Sequence, residues 1–188
     1  MSGIISDNQG RSSGLVKSAG GGGTILSAKS FQLESTTSTS GGLPTQLSAF
    51  DMSFAPTESD SKLWFQCWLS TSGSGTDGYL AFYFYDVTNS AIIGALGDAA
   101  SNRPRVSWAT HRDGHNKMEL TGFGTWHEPG STDSRDYTIF GACGDGAGSA
   151  TLYINRTSYD TDVTYLECPR CASTFTITEY AASAVTLT

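Results

Sequence analysis

Residues 137–157, YTIFGACGDGAGSATLYINRT, limit the fold more than any other part of this chain. Two runs dense in β-branched and aromatic residues, Tyr137 to Phe140 and Ala150 to Ile154, flank Gly144-Asp145-Gly146-Ala147-Gly148. Glycine and aspartate adopt the positive φ angles that a tight reversal needs, so the segment predicts a β-hairpin. Side chains alternate along a strand: Thr151, Tyr153 and Asn155 should face one way, Leu152 and Ile154 the other, leaving one face buried. Nothing in the segment is catalytic.

Other stretches extend the pattern. Thr24 to Ser27 and Ser30 to Glu34 are strand material, and Ser35 to Gly42 is a Ser/Thr/Gly connector. Leu47 to Phe54 alternates apolar with small or polar residues, which predicts a half-buried strand ended by Pro56. Lys62 to Leu69 is apolar on both faces and therefore central, with Trp64 and Trp68 on one face and assigned to the core. Tyr79 to Val87, Ala91 to Gly94, Arg105 to Ala109, Lys117 to Phe123 and Ser173 to Tyr180 complete the series, and Trp126 to Gly130 opens a loop. Many short strands separated by turns predict an all-β protein, an antiparallel β-sandwich or jelly roll. Tyr79 to Tyr85 carries aromatics on both faces, more than one thin sandwich needs. Association through a sheet face would cover them, and threefold symmetry is one closed solution.

Composition separates the ends of the chain. Residues 1–24, with DNQGRSSG and a run of glycines from Gly20 to Gly23, cannot bury a core and are expected to be either a disordered tail or an extended arm lying against another chain. Residues 25–188 form the sandwich body. Charged residues are 15% and the formal net charge is −7, with Lys and Arg scattered singly, so no basic patch offers itself to nucleic acid. No apolar run is long enough to span a bilayer, so no membrane insertion is expected. The first residues lack a basic start and apolar core, so no signal peptide is expected and synthesis is expected in a cytosol.

A string of motifs resembles one family. ISDNQGRSSGLVK (residues 5–17, preceded by Ile4), the Ala55-Pro56 to Trp64 passage, Gly94 to Arg103, Leu152-Tyr153-Ile154-Asn155-Arg156-Thr157, and the Ser173 to Glu179 strand occur in order. Together they resemble virion structural proteins of tailed phages from marine and cyanobacterial hosts. The resemblance implies a trimeric jelly-roll module used as a fibre, knob or capsid decoration. The Gly20 to Gly23 run, the Trp-rich Leu63 to Leu69 strand and the Cys168-Pro169-Arg170-Cys171 pair depart from the family pattern.

The chemistry-bearing residues point to no enzyme. Cys168 and Cys171 have the spacing of a redox pair or half a zinc site, but a zinc site needs two more ligands and a redox dithiol a helix N-terminus, so two free thiols or a loop-pinning bridge is the favoured reading. His111 and His115 lack the glutamate of a zinc-protease helix and flank a turn. Glu119, Glu128, Asp133 and Asp136 carry no feature that pairs them across a cleft as glycoside hydrolysis requires. Neither a nucleophile elbow nor a phosphate loop occurs, and no catalytic residue, metal or cofactor is assigned.

The expected function is a non-enzymatic phage virion protein, made in the host cytoplasm, that decorates a capsid or forms part of a tail fibre. It would assemble as a homotrimer and be anchored to other virion proteins by its arm. Ile4, Ile5, Leu15 and Val16 would fill apolar grooves, and Arg11 and Lys17 would meet carboxylates. The alternative is a receptor- or carbohydrate-binding module of the phage tail touching a host surface glycan, with Trp126 as the ligand contact and Asp98 to Arg103 and Trp126 to Asp133 as contact loops.

Overall fold

The computed structural model describes residues 24–74, 77–99, 101, 104–113, 117–144, 149–159 and 169–187. Apart from Thr24, the expected arm lies outside them. The described chain forms twelve strands: β1 (Ile25–Leu33), β2 (Thr37–Ser40), β3 (Thr45–Gln46), β4 (Met52–Phe54), β5 (Lys62–Gly73), β6 (Asp77–Asp86), β7 (Ala91–Ile93), β8 (Trp108–Asp113), β9 (Glu119–His127), β10 (Arg135–Gly144), β11 (Ser149–Ile154) and β12 (Ser173–Tyr180). Every strand pairing among them is antiparallel.

Two sheets face each other. In the first, β5 is central, with β9 along one edge and β12 then β1 along the other. In the second, β10 is central, with β6 on one side, β3 and β4 on the other, and β7 and β8 beyond β6. The chain crosses between sheets at β2–β3, β4–β5, β5–β6, β8–β9 and β9–β10, the wrapping expected of a jelly roll. The organising hairpin is present but shallow. Cys143 pairs with Ala150 and Gly144 with Ser149. Beyond those pairs β10 runs with β6, whereas Leu152 to Ile154 join β5 and β2. β11 therefore stitches the two sheets together.

Strand alternation builds the core. Leu63, Phe65, Cys67 and Leu69 of β5 meet Leu80, Phe82 and Phe84 of β6 and Tyr137 and Ile139 of β10, all fully buried. Phe84 reaches across the gap to Phe65, with ring centroids 5.7 Å apart, and to Phe175 of β12 at 5.6 Å. Each such buried side chain contributes about 1.5–3 kcal/mol of hydrophobic stabilisation.

Five expectations about the strands change. Ser35 to Gly42 is not only a connector, because Thr37–Ser40 pairs with β11. Leu47 to Phe54 is not one strand. Ser48–Phe50 tightens into a 3-10 turn, with Phe50 N–H donating to Leu47 O, and drives Phe50 into the core. The strand near Arg105 begins at Trp108, and the one near Lys117 runs on to His127. Trp64 and Trp68 do share a face, but it is the outer one: Leu63, Phe65, Cys67 and Leu69 take the inner face, leaving Trp68 51% exposed. In a strand apolar on both faces, alternation pairs residues without choosing the side.

Two polar side chains fasten the sheet edges. Asn155, at the end of β11, has φ +63° and is fully buried. Its Nδ2 donates to Leu33 O (2.7 Å) and Ser35 O (2.9 Å), and its Oδ1 accepts from Ser173 Oγ (2.6 Å). Its backbone N–H donates to Ser70 O and its carbonyl accepts from Cys171 N. One residue thus binds the ends of β1, β5, β11 and β12. Glu179, buried on β12, accepts from Ser27 Oγ (2.6 Å), Thr57 N (2.7 Å), Thr57 Oγ1 (2.9 Å) and Glu58 N (3.3 Å), tying β1 and the β4–β5 turn to the sheet.

Candidate binding faces

Outward-facing residues of the second sheet form an aromatic surface. Tyr79, Ala81, Tyr83 and Tyr85 of β6 point away from the core, because Leu80, Phe82 and Phe84 take the inner positions. β10 places Phe140 opposite Tyr83, and β7 places Ile92 opposite Tyr85. Phe140 stacks on Tyr83 at 5.3 Å and contacts Tyr85 at 4.4 Å. Tyr79 is 60% and Ile92 38% exposed, and His111 of β8 lies against Tyr79 at 4.9 Å. Burial, with the neighbouring Tyr85 phenol, raises the Tyr83 pKa.

The first sheet also has an aromatic outer face, of different character. Trp64 and Trp68 stand beside Gly124 and Gly122 of β9, and each indole occupies the space a side chain there would need. A Cβ at Gly124 would sit 2.2 Å from Trp64 Cζ2, and one at Gly122 would sit 2.5 Å from Trp68 Cε3. The glycines let the rings lie down across β9. Trp126 touches Trp64 at 4.9 Å and Tyr180 at 5.3 Å. On β12 the same face carries Thr174, Thr176 and Thr178, with Thr176 hydrogen-bonded to Ser30 of β1 at 2.8 Å.

The expected contact residue Trp126 is therefore on β9, half-buried between Trp64 and Tyr180, and not in a loop. The cause is the four-residue underestimate of β9: Gly124, Thr125, Trp126 and His127 pair with Gln66, Phe65, Trp64 and Leu63. Ile4, Ile5, Arg11, Leu15, Val16 and Lys17 lie outside the described residues, as do Arg103, His115 and Cys168. Asp98 is exposed. Cys171 Sγ approaches Met118 Sδ at 3.8 Å. The two-sided aromatics of β6 signal the second sheet's face in the sequence; the signal for the first sheet's face is the alternation of Gly122 and Gly124.

The titratable residues in the interior serve structure. Asp86, 1% exposed, accepts from Asn89 N (2.9 Å), Asn89 Nδ2 (2.7 Å) and Arg135 (3.3 Å), while Arg135 also donates to Pro129 O (2.7 Å) and Ser131 Oγ (3.1 Å). Burial, reinforced by Asp86 and opposed by Arg135, pushes the Tyr137 phenol up to about 12. Burial lowers the His127 pKa against the pull of Asp86. Of the carboxylates considered for catalysis, Glu128 pairs with Lys62 and Asp136 accepts from Ser53 Oγ. Among the described residues no group of three His, Cys, Asp or Glu side chains is placed to hold a metal ion, and no helix is long and apolar enough to cross a membrane.

An antiparallel β-sandwich with an aromatic cluster on the outer face of each sheet is thus the class of protein defined by the fold of the described residues. No family model and no curated protein matches the sequence. Among solved structures, the chain is similar to a mutant VP2 protein of infectious bursal disease virus from derived T=1 particles, at TM-score 0.40 and 9% identity over 84% of this chain and 40% of that one. It is also similar to the structure of the infectious bursal disease virus Gt strain, at TM-score 0.40 and 11% identity over 84% of this chain and 42% of that one. The chain therefore spans well under half the length of these structures.

Proposed function

We propose that this protein is a non-enzymatic structural component of a phage virion, a homotrimeric capsid decoration or fibre module anchored to the particle by residues 1–24. The carrying observation is the outer face of the second sheet. Tyr83, Tyr85 and Phe140 form an aromatic cluster beside Ile92, and Tyr79 adds a further exposed ring along β6. Contiguous apolar surface of this kind is characteristic of protein interfaces. The motif resemblance to phage virion proteins supports the particle setting. Ile4, Ile5, Leu15 and Val16, with Arg11 and Lys17, would engage a capsid or tail protein. Three linked arms would offset through avidity the entropy that each loses on binding.

The test is native mass together with particle incorporation. The full chain is expected to be a trimer, and Phe140→Glu, which places a charge in the centre of the apolar face, a folded monomer. A chain lacking residues 2–23 is expected to remain trimeric but fail to join the particle. A monomeric full chain, or a Phe140→Glu trimer, would overturn the assembly reading. Full incorporation without residues 2–23 would overturn the anchor.

A further inference from the structure

We infer that the outer face of the first sheet is a glycan platform that takes an uncharged oligosaccharide along β5, across Trp64 and Trp68. Sugar rings are bound by flat aromatic surfaces that contact their C–H faces, with nearby hydroxyls and amides hydrogen-bonding their edges. Both elements are present. Gly122 and Gly124 remove the side chains that would hold the indoles upright, so the rings are set across the strand before any ligand arrives. Trp126 wedges Trp64 in place, while Trp68 keeps 51% of its surface open. Gln66 alternates between the two tryptophans on the same face, and the hydroxyl row of β12 runs beside it.

Charge selects the ligand. On this face the Lys62 ammonium is answered by Glu128, and the other outward positions of β5, β9 and β12 are uncharged. A neutral surface complements a neutral chain and offers nothing to a sulfated or phosphorylated one. Trp64 and Trp68 are four residues apart, so their backbones stand roughly 13 Å apart at strand rise. That span fits a short oligosaccharide better than a single sugar. A second copy of this chain fits less well, since the threonines and Gln66 would lose water across a sheet interface without matched partners. The site is separate from the face assigned to assembly, so either reading can fail without the other.

The experiment uses the full chain and tryptophan fluorescence titrations with maltohexaose, cellohexaose and chitohexaose, alongside a heparin hexasaccharide as the anionic control. Saturable binding of at least one neutral hexasaccharide is expected, with no heparin binding. Trp68→Ala, an exposed position, should weaken it by about tenfold or more with native mass unchanged, while Phe140→Glu should leave it intact. Failure of all three neutral probes, preference for heparin, or undiminished binding by Trp68→Ala would overturn the proposal. A change in native mass on Trp68→Ala would also overturn it, by marking the face as a contact between copies.

Discussion

Replacing Glu179 by glutamine tests the mechanical account of the fold most directly. The carboxylate accepts four hydrogen bonds, from Ser27 Oγ, Thr57 N, Thr57 Oγ1 and Glu58 N, and is buried. Hydrogen bonds to a charged acceptor contribute about 1.5–3 kcal/mol each, neutral ones about 0.5–1.5. Glutamine keeps one oxygen and no charge, so weakening the two shortest bonds should cost about 2 kcal/mol. In a chain of this size that lowers Tm by roughly 4–8 °C. The pH dependence supplies a sharper criterion. Burial acts to raise the Glu179 pKa, but the hydrogen bonds from Ser27 and Thr57 outweigh it and hold the carboxyl below its ordinary value. The folded state thus binds fewer protons here than the unfolded state. The stabilisation is complete above the unfolded pKa of about 4.3 and is lost as pH falls through the lower folded value. Urea unfolding of both proteins at matched concentration should show the full gap at neutral pH and a shrinking one below about pH 4. An unchanged gap from neutral to acid pH, or no gap at neutral pH, would refute the reasoning.

Two further substitutions probe other joints. Asn155→Gly keeps the left-handed backbone but removes three side-chain hydrogen bonds, for an expected cost of about 3 kcal/mol. Asn155→Ala should cost roughly 1 kcal/mol more, because alanine resists φ +63°; equal stability of the two in urea would show that backbone strain plays no part. Burial pushes the Cys67 thiol up to about 12, against the lowering effect of a backbone hydrogen bond from Phe123. Iodoacetamide should therefore leave Cys67 unmodified in the native protein and alkylate it after denaturation; peptide mass mapping that finds native Cys67 alkylated would count against its enclosure.

Legibility followed the physics of alternation. The sandwich class was readable because turns and β-branched runs recur along the whole chain, and Leu152 and Ile154 fall inward as their period demands. Three features resisted. The hairpin at 137–157 parts after two residue pairs, since pairing partners farther along the chain, not local turn geometry, decide where each arm runs. Phe50 reaches the core through a 3-10 turn that an alternating pattern conceals. Hydrophobicity alone places Trp64 and Trp68 in a core, whereas Gly122 and Gly124, distant in sequence, make room for the rings outside. Register between strands, which no local pattern encodes, brought those four residues together.

Asn155 and Glu179 belong to the passages that resemble phage virion proteins, and each is a structural fastening: one gathers four strand ends, the other pins the β4–β5 turn. A likeness carried by such residues speaks to how the sheets are joined, not to what the molecule touches. On β5, whose other face carries Leu63, Phe65, Cys67 and Leu69 into the core, Trp64 and Trp68 lie on the outer face and take no part in those joints. Their rings are held at a geometric cost that the core does not require, since Gly122 and Gly124 sacrifice strand stability to seat them. Selection for folding alone would favour side chains at both positions. The binding chemistry of this protein should therefore be sought where its sequence leaves the pattern, on the outer face of the first sheet.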